Sequence, residues 1–271
     1  MDPVTREAGR LCADVGIELE CGEQRWDVVL AAPERRNAQT PATWRALAAV
    51  GQAVRHAAPR VVVLSARGPS FSAGLDRRMF TGQLPGEPGL PQLAGMADDA
   101  LDAEIASYQE AFTWWHDADA ITIAAVQGHA VGAGFQLALG CDLRVVADDV
   151  ALAMKETSLG LVPDLAGTWP LVEAVGYARA LEICVSGRSV GADEAVASGL
   201  AVASVAADGL ASAVDDLVAS LLAVPAAAAA ATKRLLAGAA GRTPAEQRVA
   251  ERLAQRGRLR DLARLARAPS A

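Results

Sequence analysis

Residues 124–147 read AAVQGHAVGAGFQLALGCDLRVVA, and this stretch decides the fold. An apolar strand over 120–128 runs into a glycine-rich turn, which leads into a helix over FQLALG and then a strand over 142–148. A strand without polar alternation is typical of a sheet that is covered on both faces. The stretch therefore predicts an α/β protein whose glycine-rich turn lies at the end of a buried strand.

The same pattern occurs earlier in the chain. RVVVLSA (60–66) is a second wholly apolar strand, and GPSFSAGLD (68–76) follows it as a loop rich in glycine and serine. Thr40 and Pro41 are typical of a helix start, because an N-cap residue precedes a proline in the first turn. Strand–strand–helix units thus recur through the first 165 residues. The other predicted elements are a hairpin over 15–21 and 26–32, a helix over 97–117, a strand over 150–154, and helices after 166 with a short strand near 201–205.

Composition excludes several classes of protein. The 271 residues are 52% hydrophobic and 21% charged, which excludes a disordered chain. A net charge of −7 and an aromatic content of 4% argue against a nucleic-acid partner. The longest apolar run, 221–231, is shorter than the ~20 residues of a membrane span, so we expect no membrane partner. A composition shift near 200 predicts a core domain over 1–200 and a helical region over 201–271.

Cysteine and histidine usage argues against metal and redox sites. The cysteines at 12, 21, 141 and 184 form no C-x-x-C pair, and the three histidines have no metal-ligand spacing. We therefore expect no metal ligand in this chain. Reduced thiols and a polar N-terminus without an apolar leader favour a cytoplasmic protein.

The two glycine-rich loops need a chemical interpretation. The sequence has no G-x-S-x-G elbow and no P-loop. A dinucleotide loop is disfavoured, since GHAVGAG (128–134) lies at mid-chain and neither Tyr108 nor Tyr177 begins a Tyr-x-x-x-Lys pair. Small residues let a substrate approach the backbone, and N–H groups at a helix start bind anions. Two such loops could offer two N–H groups to one carbonyl oxygen, an oxyanion hole suited to thioester enolates. Two tight turns without a ligand are the alternative.

Four segments carry a resemblance to a known family. They are PERRNAQ (33–39), VVVLSARGPSFSAGLD (61–76), AAVQGHAVGAGFQLALGCDLRVVA (124–147) and KETSLGLVPDLAGTWPLVEAVG (155–176). In this order, and over roughly residues 15–240, the chain resembles the crotonase superfamily, the enoyl-CoA hydratase/isomerase family. The resemblance implies a spiral of strand–strand–helix units with a helical C-terminal part that drives assembly into a homotrimer or hexamer. It also implies an acyl-CoA thioester as ligand and no cofactor besides that coenzyme A.

Position by position, the resemblance assigns roles to backbone groups and arginines. Leu75 in SAGLD and Ala133 in GAG would supply the two oxyanion N–H groups. The family usually has glycine at the second position, and alanine keeps the N–H while adding a methyl group. Arg35 and Arg36 are candidates to contact the CoA phosphates, with ordinary solvated arginines as the alternative.

The acidic residues bear on the reaction. Hydratases of the family use two glutamates to handle a water molecule, and the matching positions here are Gln136 and Glu156. Glutamine can hold a water but cannot exchange a proton with it. Asp164 follows Glu156 as in the family's dienoyl-CoA isomerases and in members that isomerise ring-epoxide or oxepin esters. For both carboxylates a structural role in a loop or turn is the alternative.

The resemblance predicts an isomerase that moves a double bond in an enoyl, dienoyl or ring acyl-CoA. Glu156 would be the base and Asp164 its partner, with residue 136 directed at the substrate's β-carbon. An enoyl-CoA hydratase that tolerates Gln136, and a protein that binds acyl-CoA without turnover, are the alternatives. The segment 81–96 and the helix that bears Trp114 and Trp115 are expected to shape the acyl pocket.

Overall fold

Nine strands form two sheets in the computed structural model, which describes residues 2–265. Their bounds are β1 (Ile17–Cys21), β2 (Arg25–Leu30), β3 (Val61–Ala66), β4 (Ile121–Val126), β5 (His129–Val131), β6 (Leu143–Ala147), β7 (Ala151–Ala153), β8 (Ser189–Val190) and β9 (Ala203–Val205). The larger sheet has the order β1-β2-β3-β4-β6-β9. The predicted hairpin β1–β2 is antiparallel, and all other neighbours are parallel. Residues 61–64 of β3 are buried, as expected for a strand covered on both faces.

The smaller sheet has the order β5-β7-β8, in which β7 matches the predicted strand over 150–154 and β5 lies within the segment that was predicted as a plain glycine-rich turn. Ala130 of β5 is paired in parallel with Leu152 of β7, and β8 adds an antiparallel edge. A strand of three residues is too short to show a periodicity, so the sequence did not reveal it. The pairing brings the loop after β5 beside the loop after β7.

Helices cover the sheets and form the C-terminal part. Their bounds are α1 (Pro3–Val15), α2 (Pro41–Ala57), α3 (Arg78–Thr81), α4 (Leu90–Ala94), α5 (Asp98–Asp117), α6 (Ala133–Gly140), α7 (Thr168–Val175), α8 (Tyr177–Ser186), α9 (Ala192–Ala197), α10 (Leu210–Leu222), α11 (Ala226–Ala237) and α12 (Pro244–Leu265). The predicted α2 begins after the N-cap Thr40, whose hydroxyl accepts from Thr43 N–H. Helix α1 was not predicted, although Asp2 and Pro3 form an N-cap and first position that could have indicated it.

A buried asparagine connects the loops that follow β2 and β3. Asn37, which is the only asparagine of the chain, is 4% exposed. Its Oδ1 accepts from Ala32 N–H at 2.9 Å, and its Nδ2 donates to the carbonyl oxygens of Arg67 and Ser70, both at 3.0 Å. Its backbone is left-handed, with φ 52°, a conformation that asparagine adopts more readily than most residues. These bonds hold the loop after β3 against the loop after β2.

The chain divides into two compact units, which among the described residues span 2–217 and 218–265. The division falls beyond the composition shift near 200, because β9 still joins the edge of the larger sheet after that shift. Residues 266–271 of the predicted helical region lie outside the described residues.

In the second unit α11 packs against α12, and the predicted capping box starts α12. Thr243 N–H donates to Glu246 Oε2 at 2.8 Å, and Glu246 N–H donates to Thr243 Oγ1 at 3.3 Å. No single helix of the described residues is long and apolar enough to cross a membrane, although the bent pair 207–222 and 226–237 meets that test together.

Replacing Asn37 by alanine tests the connection between the two loops. We expect Asn37→Ala to lower the free energy of unfolding by about 2–4 kcal/mol, because each buried polar group left unpaired costs about 1–3 kcal/mol. Chemical denaturation measures this change. Gln52→Ala, on the exposed face of α2, is the control and should change stability by less than about 0.5 kcal/mol. A similarly small loss for Asn37→Ala would contradict the interpretation.

Candidate active site

A cavity of about 850 Å³ lies where the loops after β3, β5 and β7 meet. Leu75, Ala133 and Glu156 contribute to its wall from these three loops. Most of the other lining residues are apolar, and Asp164 is a second carboxylate of the lining. A mainly apolar cavity with a few convergent polar groups suits a ligand that has an apolar body and a polar reacting group.

Backbone hydrogen bonds at Ser72 join the loop after β3 to strand β5. Ser72 N–H donates to the His129 carbonyl oxygen, and the Ser72 carbonyl oxygen accepts from Val131 N–H, both at 3.0 Å. Gly74 then turns with φ 82°, and a Cβ at this position would lie 2.3 Å from the Val131 carbonyl oxygen. The same Cβ would lie 3.5 Å from the Ala133 nitrogen, so the two loops touch at Gly74.

Two backbone donors are unpaired at this junction. Among residues 2–265, Leu75 N–H and Ala133 N–H have no hydrogen-bond partner, whereas Gly74 N–H donates to Ser72 Oγ and Asp76 N–H donates to the Gln39 carbonyl oxygen. Ala133 is the first residue of α6, and the amide groups of a first helical turn lack acceptors within the helix. Both donors belong to residues of the cavity wall, so the structure brings together the two positions that the sequence predicted.

Glu156 follows β7 and reaches the same cavity. Its Oε1 accepts from Gln136 Nε2 at 2.7 Å, while its Oε2 is buried without a hydrogen-bond partner among the described residues. Burial raises the pKa of Glu156 above its ordinary value of 4.5, and the charge of Asp164 raises that pKa further. Gly132, with φ 52°, makes room for the carboxylate, since a Cβ there would lie 3.1 Å from Glu156 Oε1. The site thus contains a carboxylate that binds a proton more readily than in water.

Asp164 stands in the turn between β7 and α7. Its side chain is open to the cavity rather than packed into the core. The surrounding protein nevertheless removes part of the water from the Asp164 carboxyl group, and this desolvation raises its pKa. Its carbonyl oxygen accepts from Gln109 Nε2 at 2.7 Å, so α5 holds the turn. Gln109 was not identified from the sequence, where a glutamine on a helix carries no recognisable signal.

Gln136 is buried and does not line the cavity. Its exposed fraction is 1%. Its amide group donates to Glu156 Oε1, while its Oε1 accepts from Leu165 N–H at 3.0 Å and Gly167 N–H at 3.3 Å. The hydrogen-bonding groups of the side chain are therefore occupied by protein contacts, one of them with Glu156, and a contact of residue 136 with the substrate stays a prediction.

The two arginines of the PERRNAQ segment differ in their surroundings. Arg35 Nη2 donates to the Val15 carbonyl oxygen at 2.8 Å, and Arg35 Nη1 donates to the Ala38 carbonyl oxygen at 3.3 Å. These bonds connect the end of α1 to the loop after β2. Arg36 is exposed, and neither arginine lines the cavity. A contact with a CoA phosphate stays a prediction for both arginines. The Arg35 guanidinium already donates to two carbonyl oxygens, so Arg36 is the better candidate.

The expected walls of the acyl pocket are found in part. Leu90 and Leu93 of the segment 81–96 line the cavity, and α5 contributes Leu101 and Ile105 from its first half and Tyr108 from its middle. The two tryptophans do not line it. Trp114 and Trp115 are 2% and 0% exposed and stack on each other with ring centroids 3.9 Å apart in the core. The sequence thus identified the correct helix, but not the residues of that helix that line the cavity. Two adjacent large residues do not indicate which face of a helix lines a cavity and which packs into the core.

No group of three or more histidine, cysteine, aspartate or glutamate residues in the described part of the chain could hold a metal ion. All four cysteines are free thiols. The expectation of a reaction without metal or redox cofactor stays a prediction.

Known proteins resemble this chain along most of its length. The family model of the enoyl-CoA hydratase/isomerase proteins matches residues 26–257. A Thermobifida fusca protein assigned as an enoyl-CoA hydratase and solved in complex with CoA is 49% identical, with a TM-score of 0.88. That match covers 94% of this chain and 97% of the other.

Curated relatives carry two different activities in their names. A "probable enoyl-CoA hydratase" of Bacillus subtilis is 36% identical over 141 residues, 52% of this chain and 50% of the relative. The mitochondrial Delta(3,5)-Delta(2,4)-dienoyl-CoA isomerase of Mus musculus is 33% identical over 175 residues, 64% of this chain and 53% of the relative. The chain thus spans about half the length of the curated relatives it matches.

The raised pKa of Glu156 has a consequence for stability. A carboxyl group whose pKa is raised by folding destabilises the folded state once it ionises, so stability falls as the pH rises from the ordinary value of 4.5 through the raised one. Glu156→Gln removes this cost, and we expect its melting temperature to exceed that of the wild type by about 2 °C or more at neutral pH. The difference should vanish at about pH 3, where the carboxyl group is neutral in both the folded and the unfolded state.

Differential scanning calorimetry at the two pH values measures this difference. The exposed Glu110 of α5 supplies the control, because Glu110→Gln should leave the melting temperature unchanged at both. A Glu156→Gln protein that melts below the wild type at neutral pH would show that the carboxylate stabilises the fold instead.

Proposed function

The chain belongs to the enoyl-CoA hydratase/isomerase family of the crotonase superfamily, and from this membership we propose that it moves a double bond in an acyl-CoA thioester. The observation that supports this proposal is the composition of the cavity wall. Leu75 and Ala133, whose N–H groups are unpaired among residues 2–265, line the same cavity as Glu156 and Asp164. The wall thus combines donors for a developing oxyanion with two groups that can carry a proton.

The two backbone donors would hold the thioester carbonyl oxygen. Removal of a proton next to the thioester places negative charge on that oxygen, and the N–H groups of Leu75 and Ala133 stabilise the charge where it develops. Such donors act strongly in a site of low dielectric, where loss of one typically costs about 3–4 kcal/mol of transition-state stabilisation. Because they are backbone groups, they need no reorganisation when the charge forms.

Glu156 and Asp164 would share the movement of the proton. Glu156 Oε2, which has no protein partner, removes a proton from one carbon, and the electron pair passes through the dienolate to the thioester oxygen. A carboxylic acid then returns a proton at a second carbon, and the thioester carbonyl re-forms with the double bond moved and no atom gained or lost. Two neighbouring carboxyl groups titrate as a pair, so one can act as base while the other carries the proton.

The placement of Gln136 favours isomerisation over hydration. Hydration needs a second proton-carrying group beside the reacting water, and the side chain at position 136 is a neutral amide that contacts Glu156 instead of the cavity. The second carboxylate of the cavity is Asp164, which lies in a different turn. An enoyl-CoA hydratase is the second candidate, because the Bacillus subtilis and Thermobifida fusca proteins carry that name. A protein that binds acyl-CoA without turnover is the third.

The proposal also covers the ligand and the setting of the reaction. Acyl-CoA as ligand is supported by the similar Thermobifida fusca protein that was solved with CoA. Arg36, which is exposed, is the better candidate for a phosphate contact, since the Arg35 guanidinium donates to two carbonyl oxygens. We place the reaction in the cytoplasm without any resident cofactor.

Self-association is part of the proposal. Between residues 159 and 185, the first unit exposes several large apolar side chains. They are Val162, Trp169, Val172, Leu181 and Val185. Exposed apolar surfaces of this kind mark protein interfaces, and closed symmetric assemblies are the usual result. A homotrimer or a hexamer would cover these side chains.

Replacing Glu156 tests the proposed base. With a 3-enoyl-CoA substrate, we expect the wild type to shift the double bond faster than it hydrates crotonyl-CoA, and Glu156→Gln to lower the rate of the shift by about 10²–10⁴-fold. Binding of a saturated acyl-CoA, measured by calorimetry, should persist in the variant. In the wild type, kcat should rise with pH as Glu156 loses its proton, with a midpoint above 4.5.

Two other outcomes would contradict the proposed reaction. Faster hydration than bond migration in the wild type would favour the hydratase, and acyl-CoA binding without either reaction would favour the binding protein. Asp164→Asn is the companion variant, and it should lower turnover of a dienoyl-CoA more than turnover of a monoenoyl-CoA.

Light scattering tests the assembly. We expect a mass of three or six times the chain mass of 27.9 kDa at micromolar concentration. Val185→Asp places a charge on an exposed apolar side chain of α8 and should shift the mass toward that of one chain. A wild-type mass of one chain would overturn this part of the proposal.

A further inference from the structure

We propose that Gln136 is a positioning residue that fixes the carboxylate of Glu156 and the turn that carries Asp164, and that the neutrality of its amide keeps Glu156 available as a base. The inference rests on the proposed function, in which Glu156 removes a proton. It assigns Gln136 a role different from the handling of water. The contacts of one buried side chain carry the argument.

The surroundings of Gln136 fix the orientation of its amide. Leu165 N–H and Gly167 N–H both converge on Gln136 Oε1, at 3.0 and 3.3 Å. Ala166 between them has a left-handed backbone with φ 62°, as in the concave turns whose N–H groups bind anions. An amide turned by 180° would place its NH₂ group against these two donors and its oxygen against Glu156. Only one orientation satisfies all three contacts, so the NH₂ group must face the carboxylate.

A second glutamine holds the same turn from its other side. Gln109 Nε2 of α5 donates to the Asp164 carbonyl oxygen at 2.7 Å. Gln136 of α6 and Gln109 of α5 therefore bracket the segment 164–167. A left-handed alanine costs about 1 kcal/mol, and such a conformation persists only where the surroundings enforce it. The two amides supply that enforcement, so the separation of the two carboxylates is set by Gln136, which contacts one of them and the turn of the other.

The charge state of position 136 decides the charge state of Glu156. A neutral N–H donor favours the ionised carboxylate and so lowers the pKa of Glu156, against the burial that raises it. Asp164 in the facing turn and Cys184 on α8 are the other titratable groups coupled to Glu156. Lys155 and Arg77 are the cations of the cavity wall. None of these groups replaces the direct bond from Gln136.

A glutamate at position 136 would reverse this effect. One of its oxygens could still accept from Leu165 N–H and Gly167 N–H, so the turn would keep its support. The other oxygen would lie against Glu156 Oε1, where the amide nitrogen is 2.7 Å away in the wild type. Two carboxylates so close must share a proton. Because the two backbone donors favour the charge on residue 136, the proton would reside on Glu156 and remove the base.

The experiment compares the wild type with Gln136→Glu and Gln136→Met. Carboxyl ¹³C NMR of the free enzyme, assigned with Glu156→Gln, follows the titration of Glu156. We expect its midpoint to lie lowest in the wild type, higher in Gln136→Met, which lacks the donor, and highest in Gln136→Glu. The kcat of isomerisation at pH 7 should fall about tenfold or more in Gln136→Glu and recover as the pH rises, with KM changed far less.

Gln52→Glu, on the exposed face of α2, is the matched control. It makes the same change of charge far from any contact with Glu156 and should leave both titration and kcat unaltered. A Glu156 midpoint that is unchanged or lower in Gln136→Glu would overturn the inference. So would a lower melting temperature with no movement of the pH profile, since that would indicate a structural role only.

The titration of Glu156 separates this inference from the proposed function. If no double-bond migration is found in the wild type but the three midpoints keep the expected order, the proposed reaction fails and the role of Gln136 stands. If migration is found and the midpoints do not differ, the reaction stands and the role of Gln136 fails.

Discussion

The pairing of Ser72 with strand β5 is the interaction on which the rest of the site depends. Ser72 is fully buried, and its backbone bonds to His129 and Val131 join the ends of two strand–loop segments. Its hydroxyl donates to the Asn37 carbonyl oxygen and accepts from Gly74 N–H, which joins a third loop to the same point. The distance between the Leu75 and Ala133 donors is therefore set by backbone pairing and does not depend on their side chains.

The carboxylates show a different kind of constraint. A neutral amide, that of Gln136, holds the carboxylate of Glu156, and a second amide, that of Gln109, holds the backbone of the turn that carries Asp164. An arginine at the same place would lock the carboxylate in its ionised form and weaken it as a base. A neutral glutamine positions the carboxylate without supplying a charge of its own, which would suit the proton transfer that we propose.

The fold was predictable where an element has a local sequence pattern, such as an apolar run or a helix cap. The apolar runs of β3 and β4, the N-cap at Thr40 and the glycine-rich loops all lie close to their predicted positions. Helix α1 was not predicted because its sequence is largely polar, although Asp2 and Pro3 form a regular N-terminal cap. Strand β5 was not predicted because three residues are too few to show an alternation of polar and apolar side chains. In the site, Leu75, Ala133, Glu156 and Asp164 line one cavity as the resemblance implied. The role of Gln136 and the presence of Gln109 could not be predicted, since both depend on backbone atoms of a turn far away in sequence.

The cavity wall divides into parts that can change independently in evolution. The loops that carry Leu75 and Ala133 and the amides of Gln109 and Gln136 belong to a hydrogen-bonded framework, in which most substitutions would disturb several contacts at once. Another part of the wall consists of apolar side chains on the short helices α3 and α4 and on the first half of α5. Under the proposed function these side chains would meet the acyl group through shape alone, so natural selection could alter the accepted acyl group by exchanging them without touching the two carboxylates. When the cavity wall is divided in this way, proteins that share one hydrogen-bonded framework can evolve to accept many different substrates.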